Sequence, residues 1–552
     1  MKQSAFFIGI VLAASLSYAA SPERAAQFVS EPVTPLESVR LDSLPATPAP
    51  VLKAGAMPRT VPRRDTWFRN QQRARTRPDG AAQPQPRLAS QSTASTIVMI
   101  TNVAGIGYTS VMPPDTIGDV GPNHYVQMVN SAIGSQYLVL NKQGAVLAGP
   151  TELGTLWPSG SPGRDYGYGD PIVLYDALSN RWFLSQFGDD NDGTYYLFIA
   201  VSKTADPLGA YHLYTFTLAD YFPDYPKYGV WPDGYYMASN EADANPWVGI
   251  WAFDRMNMLA GSAATYQKFR VQRNFMIPCD YDGPTPPPAG APNYFYTMMD
   301  DTYWPSQGFP GVDRLEIWEY HVDWVTPANS TFTHTRDVTN IAFIYDVGGD
   351  SWDVIPQKGT SQQVDAIGEW PMYRLQYRNF GGYETLVGNF TVDVGGTHAG
   401  VLWFELRKTS PSPWDMQQYG IYAPDANHRW MGSAAMNGDG DIALGYSVSS
   451  STLYPAIRCA ARLSTDAPGT LGSESVITNG AYSQTSGNRW GDYSTMSVDP
   501  ADDATFWYTQ EYIGSDNHWR THIGVFNIVP EPQWCMLALA LAPFVRRRTS
   551  PA

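Results

Sequence analysis

The sequence predicts an all-β fold assembled from repeated four-stranded units. Composition is the first observation behind this. Aromatic residues make up 13% of the 552-residue chain, with 34 Tyr and 18 Trp, and Gly and Pro number 48 and 44. Short aromatic strands joined by tight turns give such a mix, whereas helices would draw more on Leu, Ala, Glu and Lys. The second observation is alternation over short runs, as in YLVLN at 137–141, IVLYD at 172–176 and YYLFIAV at 195–201. The third is a weak repeat between residues 98 and 528. Each copy has an acidic or Gly-rich opening, a Tyr/Trp-rich strand, a second strand ending in Asn, Gln or Glu, and an outer pair of strands.

Seven copies begin at residues 113, 167, 222, 279, 365, 428 and 488. The openings at Asp115, Asp170, Asp224 and Asp282 stand 55, 54 and 58 residues apart. Later copies are spaced by about 63, and a longer insertion occupies 325–364. Four short strands at this period fit the blades of a β-propeller, with seven blades for seven copies. Trp182, Trp251, Trp318, Trp403 and Trp507 fall in expected strands, where flat rings fill the wedge-shaped gaps between sheets. The units resemble those of secreted bacterial propellers of the broad sialidase and BNR-like class. The Asp-box of that class, Ser-x-Asp-x-Gly-x-x-Trp, is not intact: Ser497-Val498-Asp499 with Phe506-Trp507 further on is a loose echo of it.

The two ends read as addresses. Lys2, the apolar run Ala5 to Leu16 and the small-residue site Ser17-Tyr18-Ala19 make residues 1–19 a secretory signal peptide. Residues 20–97 are rich in Pro, Gln, Ala and Arg with little apolar periodicity, and are expected to be a disordered linker or a pro-segment. Its basic run from Arg59 to Arg87 can lie against the acidic domain that follows. Residues 529–552 carry Val529-Pro530-Glu531-Pro532, an apolar stretch from Trp534 to Val545, and Arg546-Arg547-Arg548. That order resembles the PEP-CTERM sorting signal of Gram-negative bacteria. The resemblance covers about the last 24 residues. It implies processing by an exosortase-type enzyme and a place on the outer surface or in the extracellular matrix. The apolar stretch is shorter than the roughly 20 residues that cross a bilayer, and Pro543 interrupts it. Any membrane attachment is therefore expected only through this segment.

Charge narrows the partners. The net charge is −16, and residues 98–530 hold twenty-one Lys and Arg against forty-five Asp and Glu. Such a surface repels nucleic acid and anionic lipid, and suits cations or neutral polymers. Cys279, Cys459 and Cys535 form no disulfide framework and no metal cluster, although Cys279 and Cys459 can pair in an oxidising compartment.

In a propeller the first strands line the axis. Asp119, Asp170, Asp224, Asp282 and Asp492 are thus expected to gather at one end of it as candidate ligand-binding residues. Converging carboxylates bind Ca²⁺ or divide the acid and base work of glycoside cleavage; alternatively each caps a turn. Glu241, Glu369 and Glu511, near the early strands, are the candidate catalytic carboxylates, and Tyr493, Arg374 and Arg489 suit a carboxylated sugar. Asn437, Asp439 and Asp441, alternating with glycines, resemble the start of a Ca²⁺ loop, but Val448 stands where an EF-hand needs Glu. A tight hairpin explains the same glycines. Asp189-Asp190-Asn191-Asp192-Gly193 is a second acidic turn of this kind, and the run Asp499 to Asp503 is expected to be an outer hairpin. No Gly-x-Ser-x-Gly elbow and no His-Glu-x-x-His motif is present. Two functions follow. One is a surface-attached binding module for polysaccharide or matrix protein. The other is a glycan-cleaving enzyme, hydrolase or lyase, on the same scaffold.

Overall fold

A computed structural model describes residues 27–50, 58–60, 95–218, 220–241, 247–273, 275–301, 312–348 and 352–531. The signal peptide, Cys535 and nearly all of the sorting segment lie outside them. The described chain is predominantly β-strand, and twenty-eight of its thirty-four strands can be grouped into seven mainly antiparallel units of four.

The first unit runs Ile117–Val120, His124–Ser131, Gly134–Asn141 and Val146–Glu152. The second runs Gly167–Asp176, Arg181–Asp189, Tyr195–Ser202 and Tyr211–Leu218. The third is Asp224–Trp231, Gly234–Asn240, Val248–Phe253 and Tyr266–Val271. Ile277–Asp282, Asn293–Met299, Arg314–His321 and Thr331–Val338 form the fourth. The fifth comprises Pro371–Asn379, Glu384–Asp393, Ala399–Lys408 and Asp415–Tyr422, and the sixth His428–Met436, Ile442–Ser450, Leu453–Arg462 and Ser475–Thr478. The seventh takes Thr495–Val498, Phe506–Ile513 and Trp519–Pro530 from one end of the domain and Ser95–Gly107 from the other. That last pairing runs from Arg520↔Gly107 to Pro530↔Ser95.

Neighbouring units are joined in chain order. Asp119 Oδ2 accepts the Tyr175 N–H at 2.7 Å, joining the first to the second. Asp176 accepts from Tyr235 at 2.9 Å, and Asp280 from the Val230 N–H at 2.9 Å. The first strands of the fourth and fifth units pair in parallel, from Cys279↔Leu375 to Asp282↔Arg378. The Gln376 amide bonds both backbone groups of Met436, and Ser433 Oγ accepts from the Met496 N–H. The seventh returns to the first, where the Gly118 N–H donates to Thr495 Oγ1 at 3.4 Å and Tyr125 stacks on Trp507 at 5.0 Å. Trp182, Trp251, Trp318, Trp403 and Trp507 are all buried, and Trp507 stands in the seam with the first unit. Trp182 lies so close to Gly121 of the first unit that an added Cβ there would stand 2.7 Å from the indole.

Each first strand is entered through one non-glycine residue with positive φ. These are Asp115 (φ 50°), Asp170 (47°), Tyr225 (54°), Phe275 (39°), Ile367 (37°), Met431 (50°) and Asp492 (59°). A left-handed residue with a side chain is unfavourable and persists only where its surroundings hold it. In the second, third and sixth units it coincides with a bulge in the ladder.

Three expectations need correction, and the open question of a cysteine pair is answered. The segment 20–97 is not wholly a linker. Phe28–Val29 adds a strand to the outer edge of the third unit and Leu36–Glu37 to that of the second. Thr47 bonds Pro150 and Glu152 of the first unit, and Arg59–Thr60 pairs in parallel with Val111–Met112. Asp282 does not open its unit but ends the first strand, because the fourth copy begins at Phe275 and takes its outer strand, Thr331–Val338, from the supposed insertion. The run Asp499 to Asp503 is the inner hairpin joining Thr495–Val498 to Phe506–Ile513. Finally, Cys279 and Cys459 are separate buried thiols in the fourth and sixth units.

The seam between the first and seventh units predicts a measurable loss. Replacing Trp507 by Ala deletes a fully buried ring stacked on Tyr125. Chemical denaturation should register a destabilisation of about 3–5 kcal/mol. A loss under about 1 kcal/mol would contradict a packed seam there.

Candidate functional site

Four of the unit openings converge on one buried polar cluster. Asn130, at the end of the second strand of the first unit, organises part of it. Its Oδ1 accepts the Asp170 N–H at 2.8 Å, and its Nδ2 donates to the Pro113 carbonyl at 3.0 Å. The turns carrying Asp115 and Asp170 are thereby held together, and the two carboxyl groups stand close enough to act on each other. Asp224 and Asp492 stand near enough to act on them electrostatically. All four are buried.

Lys227 is the basic partner. It occupies the position that Ile117 and Ile172 take in the first two units, two residues after the left-handed one. Its side chain is fully buried. The ammonium lies 3.4 Å from the ring centre of Tyr225 and 3.7 Å from that of Tyr493, a cation–π cage. Tyr225 donates to the Pro371 carbonyl at 3.2 Å and Tyr493 to that of Pro171 at 3.0 Å, so both rings are fixed. Trp370 meets Tyr225 edge-on at 4.4 Å and stacks on Phe275 at 4.0 Å. Arg489 forms ion pairs with Asp492 and, at 3.4 Å, with Asp365. Asp365 also accepts the Trp490 N–H at 2.8 Å. It belongs to the stretch between the fourth and fifth units, which reaches across to residues 483–490. There Gln357 and Gln484 exchange two hydrogen bonds.

Burial sets the proton affinities here. It pushes Asp170 up to about 7, helped by repulsion from Asp224 and opposed by Lys227. Asp115 is raised well above the carboxylate range by burial and then by Asp170 and Asp492. Burial pulls Lys227 down to about 8 against the attraction of Asp170 and Asp115. A carboxylic acid and an amine displaced toward neutrality in one site form an acid–base set suited to pH 7.

The predicted ligand-binding residues therefore separate. Asp170, Asp224 and Asp492 meet in this cluster. Asp119 and Asp282 lie further along the first strands, in a second network with Asp280. Arg374 reaches Asp280 at 3.0 Å and Asp282 at 2.9 Å, and it donates to the Met496 carbonyl at 3.5 Å. Gln376 donates to Asp282 at 2.6 Å, and Arg378 pairs with Asp503. Burial raises Asp119 to about 6 and Asp280 to about 7, against the pull of Arg374.

The three glutamates are dispersed. Glu241 is buried between Lys268 at 2.5 Å and Arg270 at 2.7 Å. Glu369 accepts the Trp352 indole N–H. Glu511 borders the main cluster: its Oε2 accepts the Gly491 N–H at 2.8 Å, and burial raises it well above its usual range. Asn437 faces its own loop, its Oδ1 accepting the N–H groups of Asp439 at 3.0 Å and Asp441 at 2.9 Å. Asp441 holds the Ser464 N–H. The turn 189–193 is closed likewise, Asp189 and Asp190 accepting neighbouring N–H groups.

Two other groups bring three ligand atoms within 4.8 Å of one another, a spacing compatible with a divalent ion: Asp300, Asp301 and Asp313, and Glu316, His334 and Asp337. The second already holds cations, since Arg273 and Arg314 each meet Glu316 at 2.8 Å. The sequence reading overlooked Asp280, Asp365 and Lys227 as site residues. Lys227 had a usable signal, because a lysine occupies a repeat position filled by Ile117, Ile172 and Ile277 in the first, second and fourth units.

No protein-family model and no curated protein matches the sequence. Solved structures do align with it. A lectin, BP39L, from Burkholderia pseudomallei aligns over 74% of this chain and 97% of its own, with 12% identity and a TM-score of 0.38. A protein of unknown function from Dyadobacter fermentans covers 78% and 99%, with 10% identity and a TM-score of 0.34. A polysaccharide lyase acting on ulvan covers 77% and 95%, with 12% identity and a TM-score of 0.33. Among the described residues no helix is long and apolar enough to cross a membrane.

The raised Asp170 predicts a pH dependence of stability. The folded chain keeps a proton, up to about pH 7, that the unfolded chain releases near 4. Stability is therefore lost as pH rises between these values and levels off above them. Asp170→Asn removes this loss. Its stability relative to the wild type should grow by up to about 1.4 kcal/mol per pH unit across that window. Urea denaturation at pH 4, 5.5, 7 and 8 checks it, and a difference that stays flat would refute the raised affinity.

Proposed function

We propose that the seven units close into a seven-bladed β-propeller, and that the chain is a secreted carbohydrate-interacting protein that cleaves a glycan at the Asp115–Asp170 cluster. The observation that carries this reading is the pair of buried carboxyl groups held together through Asn130 beside Lys227, Tyr225 and Tyr493. Asp170, protonated near neutrality, is the general acid that gives its proton to the leaving oxygen. Asp492, ion-paired with Arg489, is the carboxylate suited to take a proton from the attacking water. Lys227 and Arg489 favour the ionised form of the carboxylates beside them, Arg489 through its ion pair with Asp492. On this reading Glu241, Glu369, Asp119 and Asp282 are structural, and Glu511 supports the loop that carries Asp492. Exosortase-type processing at 529–552 and delivery to the extracellular matrix complete the proposal.

A second reading, a noncatalytic module that binds polysaccharide or matrix protein, draws support from the burial of all four aspartates. In it the cluster is construction, and a bound Ca²⁺, where present, sits at Asp300, Asp301 and Asp313 or near Asn437, Asp439 and Asp441.

A panel of neutral and acidic glycans assayed for both binding and release of reducing ends separates these. The wild type should release sugar ends. Asp170→Asn and Asp115→Asn should lower kcat by about a hundredfold or more while binding persists. Binding without release by the wild type would leave the module reading in place.

A further inference from the structure

Having run along three outer edges, the N-terminal segment returns to the centre of the domain. The Arg59 N–H donates to the Ser110 carbonyl at 2.9 Å, and Arg59–Thr60 pairs with Val111–Met112, the residues that lead into Asp115. The guanidinium then reaches two further turns. Nη1 donates to the Ala132 carbonyl at 2.8 Å, two residues beyond Asn130. Nη2 donates to the Tyr168 carbonyl at 3.3 Å, two residues before Asp170, and the group lies 4.4 Å over the Tyr168 ring. Tyr168 is itself packed against Phe187 and Phe222. One residue from outside the repeats thus touches the approach to Asp115, the turn beyond Asn130 and the approach to Asp170.

We propose that Arg59 is a positioning residue of the Asp115–Asp170 pair, fixing the relative placement of the two turns that carry it. The inference rests on the reading of that pair as the acid of the site. Backbone pairing alone leaves the Tyr168 turn untouched, so the guanidinium is the group that makes the link. Five donors in a rigid fork allow it to bind two carbonyls of different units at once, which an ammonium on a flexible stem does less well.

The test uses the full chain carrying Arg59→Ala, Arg59→Lys or, as a control on the strap itself, Glu37→Ala, which breaks the 2.6 Å contact with Lys203. Amide hydrogen exchange at 109–112 and 166–172 is read beside the titration of ¹³C-labelled aspartate carboxyls. Arg59→Ala should raise exchange at both turns by about tenfold or more. It should also move the near-neutral carboxyl titration by about half a pH unit. Arg59→Lys should recover part of each change, and Glu37→Ala should alter neither. Unchanged exchange in Arg59→Ala overturns the inference. So does faster exchange with an unmoved titration, which would make Arg59 an anchor only. A wild type without any carboxyl titrating near neutrality would instead sink the acid reading, and the exchange at the two turns would then decide alone whether Arg59 couples them.

Discussion

The ladder between Ser95–Gly107 and Trp519–Pro530 is the pairing on which the rest of the domain depends. It joins stretches more than four hundred residues apart. Closing a loop of that length costs roughly 5 kcal/mol of chain entropy beyond a constant. That sum is spread over ten residue pairs and over the seam between the seventh and first units, where Trp507 and Tyr125 stack. Without it the first and seventh units would each present an apolar face to water. Every other seam is made between units adjacent in sequence and is inexpensive by comparison. The order of the units around the centre, and hence which openings face one another, follows once this last seam is formed.

Convergence has an electrostatic consequence. The openings that carry Asp115, Asp170, Asp224 and Asp492 bring their carboxyl groups out of water together. Isolated carboxylates there would be unfavourable by several kcal/mol each. The chain answers in two ways at two depths. Where Arg374 faces Asp280 and Asp282, charge is compensated directly, and the guanidinium ties the fifth unit to the fourth and seventh. Where Asp115 meets Asp170, burial and repulsion among neighbouring carboxylates raise both proton affinities, which favours their neutral forms. Lys227 is shielded by tyrosine rings. The first arrangement is rigid and charge-balanced. The second leaves groups whose protonation can change near pH 7.

Much of this was legible in the chain. The period near 55 residues, the alternation within strands and the burial of the tryptophans depend on local composition, and the structure shows the strands and the burial as the sequence implied. The phase within a unit was harder to read. Asp115 and Asp170 take the left-handed conformation themselves, but in the next units Tyr225 and Phe275 do so, and no residue type marks the turn. Aligning on aspartate therefore put Asp282 at an opening, when it ends a strand. The dispersal of Glu241, Glu369 and Glu511 has the same origin: each stands near a strand end, yet which unit it faces depends on the ring and not on its neighbours in sequence.

The N-terminal segment illustrates a different limit. Residues 27–50 lack the apolar alternation of a core strand because they bury little: Phe28, Val29, Leu36 and Val39 stay exposed, and Leu41 alone is fully covered. What holds the segment is backbone pairing to outer edges that are already formed. Pro32, Pro35, Pro45, Pro48 and Pro50 fit that role, since a residue with no N–H and a fixed φ suits an extended edge that pairs only in short stretches. Proline-rich composition was read as the mark of a spacer, and it is equally the mark of a strap that needs a folded partner. The two are distinguished only by the unpaired edges of the second and third units, which no reading of the segment by itself reveals. The domain thus organises its own N-terminus, and Arg59, the last described residue but one of that strap, is where the organised segment reaches back to the carboxyl pair.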